Sequence, residues 1–190
     1  MKNGTSIFPP RRRPSRRHSR RGFTLIEACL ATVIVGVGVM GTIGLFATCS
    51  QQNRQAAEMS VAVMLASNIQ EAMGGLTFAD PGLGHTYFGP EPGEVLATWD
   101  DVDDFDGANL SPPIDALRKS LPQLSQYSQV VSVWPTDPQK LSRNSNESNP
   151  EISKGTYTGA VRIRVRILFR ATPDSVPEEV YQASWIRMDG

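Results

Sequence analysis

The chain has 190 residues, with 19 Lys and Arg against 19 Asp and Glu, two histidines and two cysteines. The length suits one domain with additional segments. The neutral total hides an uneven distribution. Lys2 and the arginines at 11, 12, 13, 16, 17, 20 and 21 give residues 1–22 eight positive charges and no acid, which leaves 11 positives against 19 negatives, a net of about −8, on the rest. Phosphate affinity needs clustered Lys and Arg, so the acidic remainder argues against nucleic-acid binding. His85 is the only histidine beyond residue 22 and there is no P-loop, so a triad or His-rich metal cluster has little to draw on, and no enzymatic activity is expected.

Residues 1–22 form a basic, Ser- and Pro-containing arm, expected to be disordered. Its position directly before an apolar run reads as a positive-inside flank and a processing segment. The arm ends in Arg21-Gly22-Phe23-Thr24-Leu25-Ile26-Glu27, and no charged residue occurs in the 20 positions from Ala28 to Ala47. A carboxylate at the head of such a run is costly, about 2.5–3.5 kcal/mol in lipid if unpaired, and should have a partner. A free amine at Phe23 would lie one helical turn from Glu27. The helix dipole favours an anion at that end.

This contiguous stretch resembles the type IV prepilin processing motif of type IV pilins and type II secretion pseudopilins. The resemblance covers about 26 residues; the rest agrees in general layout. It implies cleavage between Gly22 and Phe23 by a prepilin peptidase, N-methylation of Phe23, and pairing of Glu27 with its own amine or a neighbouring copy's. The implied partners are the peptidase/methylase, other pilin or pseudopilin subunits and the inner membrane. The implied location is single-pass, with the leader cytoplasmic and the C-terminal domain periplasmic before entry into a pilus or pseudopilus. The alternative is a permanently membrane-anchored periplasmic binding module with an acidic, calcium-binding loop.

Phe23 to about Met73 reads as one long helix. Its first half, 23–49, is apolar on every side, as a membrane span or filament core requires. Its second half, 50–76, is amphipathic, with Ala56, Met59, Val63, Ala66, Ile69, Met73 and Leu76 predicted as the buried stripe. Gly74-Gly75 supply the stop. Gly36, Gly38, Gly41 and Gly44 formally contain G-x-G-x-x-G, but inside an apolar helix they lack the strand and turn of a nucleotide site. Ala28, Thr32 and Gly36 make a small-residue stripe. Cys29 and Cys49 are 20 residues apart on this helix, about 30 Å, too far to bond.

The exported part, 77–190, opens with a long irregular connection, 77–121, punctuated by Asp80-Pro81-Gly82, Gly89-Pro90, Pro92-Gly93 and Ser111-Pro112-Pro113. Within it, Asp101, Asp103, Asp104 and Asp106 are candidate calcium ligands, although their spacing fails the EF-hand pattern. The other reading is a solvated acidic loop pinned by Trp99 and Phe105. The acid pair Glu91 and Glu94 carries no scaffold signal in this reading. No cofactor besides calcium is expected. Strands are predicted at Tyr127–Trp134, Ala160–Arg170 and Val180–Met188, with a polar loop at 135–154 holding the sequon Asn146-Glu147-Ser148. In the middle strand Val161, Ile163, Val165, Ile167 and Phe169 alternate with Arg162, Arg164, Arg166 and Leu168, and acids on neighbouring strands or subunits are the expected partners of the arginines. The predicted fold class is α+β: the long helix, apolar then amphipathic, packed on a small antiparallel sheet, as in pilins. The late strands and absent C-terminal disulfide look most like minor pilins of the V or I class.

Overall fold

A computed structural model describes residues 22–80, 88–139, 152–154 and 156–189. The arm 1–21, His85, the sequon and most of the 135–154 loop lie outside the described residues. The chain divides into two compact units, Met1–Cys49 and Ser50–Gly190.

Helix α1 runs Leu25–Gly74. In the first unit every described residue is exposed, including Phe23, Ile26, Val33, Ile43 and Phe46. This part of α1 is long and apolar enough to cross a membrane. Its hydroxyls are satisfied locally. Thr32 Oγ1 donates to Ala28 O at 2.8 Å, Thr42 Oγ1 to Gly38 O at 2.9 Å and Thr48 Oγ1 to Gly44 O at 3.0 Å. Such back-bonding hides a polar group that would otherwise face hydrocarbon.

The second unit is a helix-on-sheet layer, an α+β arrangement. Its sheet is a four-stranded antiparallel meander in sequence order, β1 Asn109–Leu110, β2 Tyr127–Pro135, β3 Ala160–Phe169 and β4 Glu178–Met188. The three longer strands fall where period-two alternation placed them; β1, two residues in the irregular connection, carries too short a pattern to be seen. In β3 the apolar residues Val161, Ile163, Val165 and Ile167 are buried and Arg162, Arg164 and Arg166 half-buried. The residues registered against these arginines are Trp134, Ser132 and Val130 on β2 and Ile186, Ser184 and Gln182 on β4. None of these directly registered residues is acidic, and Arg164 lies over the Trp134 ring at 5.1 Å.

The buried helical face agrees with expectation in part. Ala66, Ile69 and Met73 are buried as predicted, together with Ala62, Leu65 and Ala72, whereas Ala56, Met59 and Val63 are exposed. Both sets satisfy three- and four-residue spacing, and the sheet's extent decides between them. Leu65, Ile69 and Met73 join Val131, Val133, Ile163, Val165, Ile167 and Phe105 in one core. Burial of each large side chain contributes roughly 1.5–3 kcal/mol.

Two polar side chains lock the layers. Gln129, fully buried, donates from Nε2 to Leu65 O at 2.9 Å and Ile114 O at 3.1 Å, and its Oε1 accepts from Ile114 N at 2.8 Å. It thus ties helix, sheet and the 111–121 segment at one point. The helix has no basic residue in its last turn. Arg187 on β4 fills that role by donating to the Met73 carbonyl, which also accepts from Leu76 N at 3.2 Å, and to the Leu76 carbonyl just past the helix end.

Candidate functional site

Two regions carry chemistry, and the first is the head of α1. Thr24 caps the helix: its carbonyl accepts from Ala28 N at 3.1 Å and its Oγ1 from Glu27 N at 3.4 Å. Thr24-Leu25-Ile26-Glu27 has the capping-box spacing, with the acid in the first turn where the dipole favours it. Gly22 and Phe23 precede the cap outside the helix and are exposed, Phe23 at 76%. The Gly22–Phe23 bond is therefore reachable from solvent, and an amine created at Phe23 would sit at the first turn beside Glu27.

The second region is the acidic loop, which is not solvated. Asp101, Asp103 and Asp104 are buried, in a network built largely on backbone donors. Asp101 Oδ1 accepts from Asp103 N at 3.0 Å and Asp104 N at 3.1 Å. Asp104 Oδ2 accepts in return from Asp100 N at 2.9 Å and Asp101 N at 3.2 Å. These bonds wind Asp103–Phe105 into a single 3-10 turn. Asp103 Oδ2 accepts from Gly89 N at 2.8 Å, joining the loop to the preceding segment. Asp106 faces elsewhere: its Oδ1 accepts from Val133 N at 2.9 Å and its Oδ2 pairs with Lys154. Phe105 is fully buried and Trp99 packs edge-on against it, with ring centroids 4.8 Å apart.

Two further acids join Asp104. Glu91-Pro92-Gly93-Glu94 forms a tight turn closed by Glu94 N to Glu91 O at 3.0 Å, with Gly93 at φ +101°. Proline second and glycine third are what a type II turn requires, since only the third position takes positive φ. The turn sets the two glutamates side by side, and Glu94 Oε2 accepts from Glu91 N at 3.2 Å. Carboxylate oxygens of Glu91, Glu94 and Asp104 lie within 4.8 Å of one another. Glu91 Oε2 and Asp104 Oδ1 are closed to solvent with no hydrogen-bond partner among the described residues. Of the four aspartates read from the sequence as calcium candidates, only Asp104 belongs to this group. The Pro-Gly between two glutamates was the available signal for the other two carboxylates.

Burial and neighbouring acids hold Asp101, Asp103, Asp104 and Glu91 toward the neutral form. Asp101 is pushed up to about 8, by burial first and then by Asp103. Glu91 is pushed up to about 7, by burial and then its contact with Glu94. Asp104 is pushed up to about 6, by burial above all, with Glu94 adding to the rise. Carboxyls whose folded pKa exceeds the unfolded value, near 4, stabilise the fold fully below pH 4, and that contribution disappears as pH rises through 6 to 8. In metal-free buffer the melting temperature is thus expected to fall by a few degrees between pH 5 and pH 8.5, since a tenfold change in a carboxyl's proton affinity on folding corresponds to about 1.4 kcal/mol. Calorimetric scans across that range check it; a melting temperature that rises with pH contradicts the assignment.

The chain matches no protein-family model, no curated protein and no solved structure.

Proposed function

We propose that the chain is a minor pilin or pseudopilin: a structural subunit, inserted in the inner membrane by the apolar part of α1, cleaved between Gly22 and Phe23, methylated at Phe23 and assembled into a type IV pilus or type II secretion pseudopilus. It is a substrate of the processing enzyme and performs no chemistry of its own. The observation that carries this reading is the exposed Gly22–Phe23 bond, one residue before a capped helix start, with Glu27 in the first turn and an uncovered apolar helix behind it. An uncovered stripe of that size is unstable in water and calls for lipid or neighbouring helices. The α+β second unit provides the outward-facing body.

Mass spectrometry of the membrane-extracted protein tests the proposal. The expected N-terminus is a methylated Phe23; material that retains its arginine arm overturns it. The Glu91–Glu94–Asp104 group, with Asp104 buried and both glutamates half-buried, favours one competing reading, a permanently anchored periplasmic binding module. A retained arm together with a bound ligand would select that reading.

A further inference from the structure

We propose that Glu91, Glu94 and Asp104 hold one divalent cation of the calcium type, which fastens the 91–94 turn to the 100–106 loop. The inference does not depend on the filament reading, because all three residues lie in Ser50–Gly190. The geometry suits one ion. A calcium shell with oxygens at 2.3–2.6 Å is about 4.6–5.2 Å across, so three oxygens within 4.8 Å of one another can share it.

Asp104 supplies the independent sign of a ligand. Asp104 is 1% exposed, one of its carboxylate oxygens lies within 4.8 Å of oxygens of both glutamates, and Oδ1 has no hydrogen-bond partner among the described residues. A buried carboxylate oxygen without a donor is costly unless a proton or a cation meets it. The rest of the loop holds that oxygen in place. Asp104 Oδ2 is fixed by two backbone N–H groups, and Asp101 fixes the backbone of residues 103 and 104. When all three carboxyls are ionised, the group carries a local charge of −3. The ion pair of Lys154 with Asp106 does not include them. The nearby Arg118 guanidinium is engaged with the carbonyls of Leu96 at 3.2 Å and Trp99 at 2.6 Å. A doubly charged ion supplies the missing positive charge. Magnesium demands near-ideal octahedral geometry and dehydrates reluctantly, whereas calcium accepts irregular sets of carboxylates completed by water.

The experiment is titration calorimetry of the detergent-solubilised full chain with calcium chloride, and separately magnesium chloride, at pH 7.5, alongside melting curves. Calcium is expected to bind at one site with Kd of roughly 10⁻⁴–10⁻³ M and to raise Tm by about 3–10 °C at 10 mM. Magnesium is expected to bind at least about tenfold more weakly. Asp104→Asn keeps an acceptor for the two backbone donors and should lower calcium affinity tenfold or more; Glu91→Gln, in the half-buried turn, should do the same. Asp174→Asn, an exposed acid between β3 and β4, serves as the control with wild-type affinity. Absence of both heat and Tm shift at 10 mM calcium overturns the proposal. Wild-type affinity in both Asp104→Asn and Glu91→Gln overturns it equally. A Tm raised by acid but not by calcium would overturn it too, and would assign the cluster to shared protons.

Discussion

Gln129→Leu is expected to lower stability by about 2–4 kcal/mol, read as a fall in Tm of roughly 6–15 °C. The substitution keeps the volume and adds apolar surface, so loss of burial does not enter. What it removes is the three-way tie among Leu65 O, Ile114 O and Ile114 N. The Leu65 carbonyl sits in the middle of α1, where a helical N–H also reaches it. Ile114 O keeps a longer bond from Asn68 Nδ2 at 3.3 Å. Ile114 N has no such substitute. Ile114 is 2% exposed, so its N–H becomes a buried donor without an acceptor, at a cost of about 1–3 kcal/mol. Loss of the bonds to the two carbonyls accounts for the remainder. Gln182→Leu, an exposed glutamine on β4, is expected to stay within about 0.5 kcal/mol of the parent. Indistinguishable melting of the two variants would show that Gln129 is not the tie between the layers.

The same residue shows what the sequence reveals and what it conceals. Tyr127, Gln129, Val131 and Val133 share one face of β2, and all are buried. The alternation that located the strand counts Gln129 as a polar interruption, because its partners lie 64 and 15 residues away and leave no local pattern. The helix was legible for the opposite reason: an uncharged run from Ala28 to Ala47 and a Gly74-Gly75 stop are local. Its buried face was legible in part: Ala66, Ile69 and Met73 are buried as predicted, whereas only the sheet selects Ala62, Leu65 and Ala72 over Ala56, Met59 and Val63. Asp104 was within reach as part of an acidic run, but burial of that run depends on Phe105 entering the core and on backbone donors from residues 100 and 101. Glu91 and Glu94 were visible as a Pro-Gly turn flanked by acids, yet their third partner lies 10 residues beyond Glu94 and meets them only through the fold. Period-two and period-3.6 signals report which elements exist; they do not report which polar side chains bridge them.

Glu27→Val is expected to leave membrane insertion intact and to reduce incorporation into filaments by about a hundredfold or more. Insertion should improve slightly, since a carboxylate near hydrocarbon costs about 2.5–3.5 kcal/mol and valine removes that cost. Glu27 is not needed to start the helix, because Thr24 provides the cap and the interaction at Glu27 is through its backbone N–H. Cleavage depends on the bond at Gly22, five residues earlier, so the variant should still mature to Phe23. Assembly is where the loss falls. On the proposed reading, removal of the arm makes the Phe23 amine a cation carried into an apolar setting, and Glu27 is the acid on that helix close enough to the terminus to meet a neighbour's amine. Breaking a buried charge pair by deleting one partner costs about 3–5 kcal/mol, because the other charge is left uncompensated, and 3 kcal/mol corresponds to somewhat over a hundredfold in occupancy. The measurement pairs mass spectrometry of the N-terminus with the fraction of protein in sheared filaments. Normal cleavage with lost incorporation locates the role of Glu27 in assembly. Lost cleavage would move it to recognition by the peptidase, and wild-type incorporation would show that the amine finds its counter-charge elsewhere.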